Sequence, residues 1–184
     1  MTRIHYRPPW RVDVTVRDGV IAPISQAALV RSVVAALGAA NAPAPASIGL
    51  ILTDDDELSG LNADHMGKDG PTDVLSFPLL SPDAFPVHPG AEARTPGGGP
   101  SIVDFPVPPG RRQHLGDIVI SVARAMEQAA EGRGGQTGDV RWSAADELRL
   151  LAIHGTLHVC GWDHAVAVEE TAMREVERRL LVGR

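Results

Sequence analysis

Leu150-Leu151-Ala152-Ile153-His154-Gly155-Thr156-Leu157-His158-Val159-Cys160-Gly161-Trp162-Asp163-His164 is the stretch around which the rest of this 184-residue chain can be arranged. Leu150, Leu151, His154, Leu157 and His158 share one helical stripe, so the two histidines lie on the face that otherwise buries leucine. His154 and His158 stand one turn apart, where two imidazoles can converge on one metal ion. Gly161 lets the chain leave the helix in a conformation other residues resist, and that exit can swing His164 back towards the pair. Three histidines with an open fourth position suit a catalytic rather than a structural zinc site. The competing interpretation is three ordinary histidines on a helix and its exit loop. It must explain two imidazoles on a leucine face, where burial without a partner is costly. Cys160 falls on the opposite helical face and reads as small core filler.

Working outward, Ser143 with Asp146 and Glu147 reads as the N-cap and acidic first turn of that helix, which is expected to end near Cys160. Val168, Ala172, Met173, Val176, Leu180 and Leu181 predict a last amphipathic helix over about 166–182. On the other side, a helix is expected over about 122–131, broken by Gly132, and short strands over 115–121 and 72–79. Ile48 to Leu52 reads as a buried strand, and the four acids Asp54 to Glu57 as the start of a helix rather than a metal site. Pro23 opens another helix that Gly38 is placed to terminate, and Val12, Val14 and Val16 alternate with polar residues as in a half-buried strand. Strands and helices without strict alternation predict an α+β fold: a small mixed sheet packed against helices, with the metal-binding helix central. One domain over 1–184 is expected, with a Pro/Gly-rich insertion at about 81–112. That insertion holds eight of the fifteen prolines, and its composition favours disorder over a working lid.

Seventeen Lys+Arg against 23 Asp+Glu give a net charge of -6, which excludes capture of nucleic acid by bulk positive charge. Residues 1–17 run the other way, with Arg3, Arg7, Arg11 and Arg17 against Asp13 alone. They form the local patch at which any nucleic-acid partner would have to be met. A single cysteine excludes a disulfide framework and fits a reducing compartment, and no apolar run approaches a membrane span. The expectation is a cytoplasmic protein with no membrane partner.

The HxxxHxxGxxH spacing is also that of zinc proteases whose helix carries a glutamate base directly after the first histidine. Here that position is Gly155, which can abstract no proton. A bound metal still supplies Lewis acidity, so phosphodiester cleavage is compatible with both what is present and what is missing.

The stretch His154 to His164 resembles the signature of the YbeY endoribonuclease family, with Trp162 where that family often has Tyr. Gly70 to Pro78 and Leu115 to Ser121 resemble its two other motifs, and Glu169, Met173 and Glu177 fall where similar proteins carry Glu, Met and Glu. The likeness runs from about Ile48 onward. It implies one zinc ion, or another divalent transition metal, held by His154, His158 and His164. It further implies a single-strand-specific, metal-dependent endoribonuclease of ribosomal RNA, acting in small-subunit 3′-end maturation and ribosome quality control. The implied partners are ribosomal RNA, the small subunit and ribosome-assembly proteins.

Around the second motif the candidate catalytic residues are Lys68, Asp73 and Ser76, although Asp73 can equally fix its own turn. Asp163 is the candidate for orienting a ligand imidazole from behind. Met66 stands where many relatives carry an arginine thought to hold the phosphate, leaving Lys68 as a point-charge substitute. Two alternatives are a zinc-dependent protease or amidase with another carboxylate as base, and a non-catalytic ribosome-assembly factor.

Overall fold

In the computed structural model, which describes residues 1–67, 70, 72–91, 112–132 and 142–182, five strands form one sheet in the order β1-β2-β3-β5-β4. The alternation of Val12 and Val14 with Arg11 and Asp13 makes β2 (Trp10–Val16), in which Val12 and Val14 are fully buried. Its partner β1 (Thr2–Arg7) forms an antiparallel hairpin with it across Pro8-Pro9. Strand β1 has no counterpart in the sequence reading. It is exposed on both faces, so no period-two burial pattern marks it.

Ser25 caps α1 (Gln26–Ala39) by accepting from the Ala28 N–H, and the helix leads into β3 (Ala46–Thr53), which lies parallel to β2. Gly38 does not terminate α1 as expected. It lies inside the helix against the Trp10 ring, and the chain turns instead at Asn41, which has φ 49°. Asp54 caps α2 (Asp55–Met66) through the Glu57 N–H, with Asp55, Asp56 and Glu57 in its first turn, so these acids serve the helix start. Strand β4 (Val74–Pro78) pairs antiparallel with β5 (Gln113–Ser121), and β5 runs parallel to β3, which makes the sheet mixed. Helices α3 (Val122–Ala130), α4 (Ala144–Val159) and α5 (Ala167–Val182) complete an α+β architecture.

Ile48, Leu50, Leu52, Ile118 and Ile120 meet Leu29, Val33 and Leu37 of α1 and Leu148, Ile153 and Leu157 of α4 in the main core. Each such fully buried side chain is worth about 1.5–3 kcal/mol over leaving it in water. A smaller core of Leu58, Leu75 and Val119 seats α2 on the other face of the sheet. Helix α4 touches β4, β5, α1, α3 and α5, so its position is fixed from several sides.

The insertion differs from its expected disorder where it is described. Residues 81–91 fold back on the molecule through a short turn at Pro82–Ala84, and Phe85 is buried. Apolar and aromatic contacts there outweigh the local excess of proline. Residues 92–111 of the insertion, like Lys68, lie outside the described residues. Among the described residues no helix is long and apolar enough to cross a membrane.

Candidate metal centre

Ser143 and Asp146 start α4 with a reciprocal capping box: the Asp146 N–H donates to Ser143 Oγ at 3.2 Å and the Ser143 N–H to Asp146 Oδ2 at 3.3 Å. The buried leucine stripe then docks the helix on the sheet. Gly155 makes the approach close, because a Cβ there would lie 2.6 Å from Ile118 Cγ2 and 3.2 Å from Ser76 Oγ. Ser76 Oγ donates to the Gly155 carbonyl at 3.1 Å, which ties α4 to β4.

The C-terminus of α4 turns back sharply. The Gly161 N–H donates to the His158 carbonyl and the Trp162 N–H to the Leu157 carbonyl, both at 3.0 Å, with Gly161 at φ 83°. This is the hydrogen-bond pair of a Schellman motif, whose left-handed residue favours glycine. It returns His164 to the helix face, its ring centroid 5.1 Å from that of His158 and 5.8 Å from that of His154. One nitrogen from each of the three histidines lies within 4.8 Å of the others.

The proton positions on the first two rings follow from their partners. His154 Nδ1 lies 2.7 Å from Glu177 Oε1, and His158 Nδ1 lies 2.9 Å from the Trp162 carbonyl. Both partners are acceptors, so each Nδ1 carries hydrogen and each Nε2 presents a lone pair. Those two Nε2 atoms face each other at 3.0 Å, and with both rings neutral a shared cation would satisfy both lone pairs. Burial first, then the neighbouring His154 and His164, push the His158 pKa down to about 4. The three-nitrogen donor set therefore fits a divalent transition metal.

Two hollows flank the triad. A cavity of about 230 Å³ runs towards Glu147, Met173 and Glu177, and a wider groove of about 630 Å³ runs along Thr72 to Ser76, with Met66 and Asn62 at its far side. His154 and His164 line both.

Among the sequence candidates, Asp73 and Ser76 both reach the groove. Asp73 Oδ1 accepts from the Val74 N–H at 2.9 Å and from Thr72 Oγ1 at 3.2 Å, while its Oδ2 accepts from Gln128 Nε2 at 3.1 Å. Its carboxylate thus anchors the start of β4. Asp163 Oδ1 accepts from the His164 N–H at 2.8 Å. The Nδ1 atoms of His154 and His158 are met by Glu177 and the Trp162 carbonyl. Glu177 had only its place in the family pattern to mark it. Its spacing of four and eight residues from Met173 and Glu169 puts all three on one face of α5. Cys160 is fully buried, its thiol pushed up to about 12 by burial, in keeping with core filler.

The family model described as Endoribonuclease YbeY matches residues 15–183, well upstream of Ile48. The Endoribonuclease YbeY of Chelativorans sp. (strain BNC1) is 35% identical over 152 residues, covering 82% of this chain and 74% of that protein. That of Chloroflexus aurantiacus is 34% identical over 173 residues, covering 94% of each. That of Geobacillus kaustophilus is 38% identical over 133 residues, covering 72% of this chain and 69% of that protein. A weaker likeness is to the solution structure of TM1509 from Thermotoga maritima, with a TM-score of 0.48 and 19% identity over 92% of this chain and 90% of that one. The family model and these curated relatives agree over most of the sequence, and the chain belongs to the YbeY endoribonuclease family.

Proposed function

We propose that the chain is a metal-dependent endoribonuclease whose ion is held by His154, His158 and His164, and that it acts on single-stranded ribosomal RNA. The observation that carries this reading is the pair of facing Nε2 lone pairs at 3.0 Å with a third imidazole beside them. A divalent ion such as zinc supplies positive charge at a phosphate oxygen when bound. The chain's own residues do the rest. Glu177 and the Trp162 carbonyl fix both ring tautomers, and the outer edge of β4 walls a groove in which an extended strand can lie against the triad. Strand β4 ends the sheet order, so no further strand covers its outer edge.

The zincin-type protease alternative loses support from Gly155. A glutamate there would place its Cβ 2.6 Å from Ile118 Cγ2, so the position serves packing against the sheet. The carboxylates lining the hollows are engaged as well: Glu177 with His154, Asp73 with the start of β4, Glu147 with the Trp142 indole N–H, Glu170 with Arg174 and Asp163 with the His164 N–H.

The biological reading is maturation of the small-subunit ribosomal RNA 3′ end and ribosome quality control in the cytoplasm by one catalytic domain, with the small subunit and assembly proteins as partners. A ribosomal RNA precursor incubated with the protein, with its chelated form and with His154→Ala tests it. Cleavage is expected only from the metal-loaded wild type, and equal cleavage by His154→Ala removes the reading. Full complementation in cells by that cleavage-dead variant would instead establish the non-catalytic assembly role.

A further inference from the structure

The His164 loop is held from outside by a segment remote in sequence. Residues 82–90 run over its three supports. Pro82 and Phe85 pack on Gly161, where a Cβ would lie 3.1 Å from Pro82 Cα and 3.5 Å from Phe85 Cδ2. The His88 ring stacks flat on the Trp162 indole, with centroids 4.0 Å apart and planes 9° from parallel. The Gly90 backbone lies so close to α5 that a Cβ would sit 2.6 Å from the Glu169 nitrogen. Glu169 itself is fully buried, and a buried carboxylate stays in place only with hydrogen-bond donors around it. Its Oε1 accepts from His88 Nε2 at 2.8 Å and from the Asp163 N–H at 2.6 Å. Asp163 in turn accepts from the His164 N–H at 2.8 Å. An unbroken chain of contacts thus leads from His88 through Glu169 and Asp163 to the backbone of His164.

His164 needs such a hold. His154 and His158 are fixed by α4 and by acceptors on their Nδ1 atoms, whereas His164 is exposed on an irregular stretch between two helices. A three-ligand centre is only as well formed as its least constrained ligand.

We propose that residues 82–90 form a strap that positions His164 for the metal, with His88 as a positioning residue acting through Glu169. The inference rests on the reading of His154, His158 and His164 as ligands. Strap and centre are joined here by a hydrogen bond spanning 81 residues, so part of the proline-rich insertion belongs to the architecture of the site.

The test uses the full chain in four forms: wild type, His88→Phe, His88→Gln and His164→Ala. Phe keeps a flat ring on Trp162 and loses the donor to Glu169, whereas Gln can restore that donor. Zinc affinity is measured by chelator competition, and the cobalt-loaded proteins are compared by their visible ligand-field spectra. His88→Phe is expected to bind zinc about tenfold more weakly, the lower end of what loss of an outer-shell hydrogen bond costs. Its cobalt spectrum should move towards that of His164→Ala, and His88→Gln should recover most of the affinity. Wild-type affinity in His88→Phe, or no recovery in His88→Gln, overturns the strap. Hydrogen exchange of the wild-type Asp163 amide gives a check that depends on no variant folding. Protection is expected, and exchange as fast as an open loop overturns the proposal. Unchanged zinc affinity in His164→Ala would instead strike the three-histidine reading itself.

Discussion

The two ends of the sheet are both edge strands and are built in opposite ways. At one end β1 is exposed on both faces and carries Arg3 and Arg7. At the other, β4 is pinned to α4 by Ser76 and walls the groove beside the three histidines. Charge and a proline link blunt the first edge against pairing with another chain. The second edge is fixed by close packing. With strands about 4.8 Å apart, the two lie about 19 Å from each other, enough for several nucleotides between them. In the proposed function, chemistry sits where the backbone is most constrained, and long-range attraction where it is least.

The sharpest way to break this contrast is at Gly155. Gly155→Ala should cost about 1–3 kcal/mol in chemical denaturation, because the new methyl overpacks Ile118, and it should impair metal binding as well. An unchanged unfolding midpoint would show that α4 is not seated tightly on β5. Next, Glu177→Gln keeps the shape but removes the charge behind His154. Zinc affinity should fall about tenfold with little loss of fold, measured by chelator competition.

At the far edge, the effect should be on capture and not on turnover. Arg3→Ala with Arg7→Ala should raise KM for RNA several-fold at unchanged kcat, and lower the salt slope of binding by roughly 1.4 if each side chain meets one phosphate. Arg11→Ala should do less. Arg11 is committed to Asp13 at 2.8 Å, as Arg17 is to Glu57 at 2.5 Å, so the basic segment read from sequence is narrower in the fold. A fall in kcat in the Arg3/Arg7 variant would blur the division between the edges.

The smallest effect is expected between the edges, on β5. There the Asp117 hydrogen bond raises the half-exposed His114 above its usual value, outweighing desolvation. A group whose pKa is raised on folding adds stability that is fully present below its unfolded value, about 6.5, and is lost as pH rises through the higher folded value. Asp117→Asn should therefore lower the melting temperature slightly at pH 5.5 and hardly at all at pH 8.5. An equal loss at both would assign the role of Asp117 to packing.

Periodic and terminal signals were legible because they are local. Ser143 and Asp146 announce their helix, the leucine stripe announces its buried face, and the three-histidine spacing announces a shared centre. Strand β1 was not legible, since an edge exposed on both faces has no burial period to show. Gly38 looked like a stop signal because glycine is read first for its backbone freedom; its actual setting, against the Trp10 ring, is a tertiary fact. The partners of the centre were hidden for the same reason. Glu177 lies 23 residues beyond His154 and His88 81 residues before Glu169, and no spacing rule on one helix predicts what a second helix or a strap will bring against it.

Gly155 also bears on what this scaffold can become. A glutamate after the first histidine is a single substitution away in sequence, yet its side chain would have to leave from a point already filled by the sheet. To admit it, α4 would have to lift from β5, breaking the contact that places His154 and His158. The route from this site to a zincin-type hydrolase is thus closed to stepwise change, and an engineer would have to rebuild Ile118 and the β4–β5 surface before the new base could be tried.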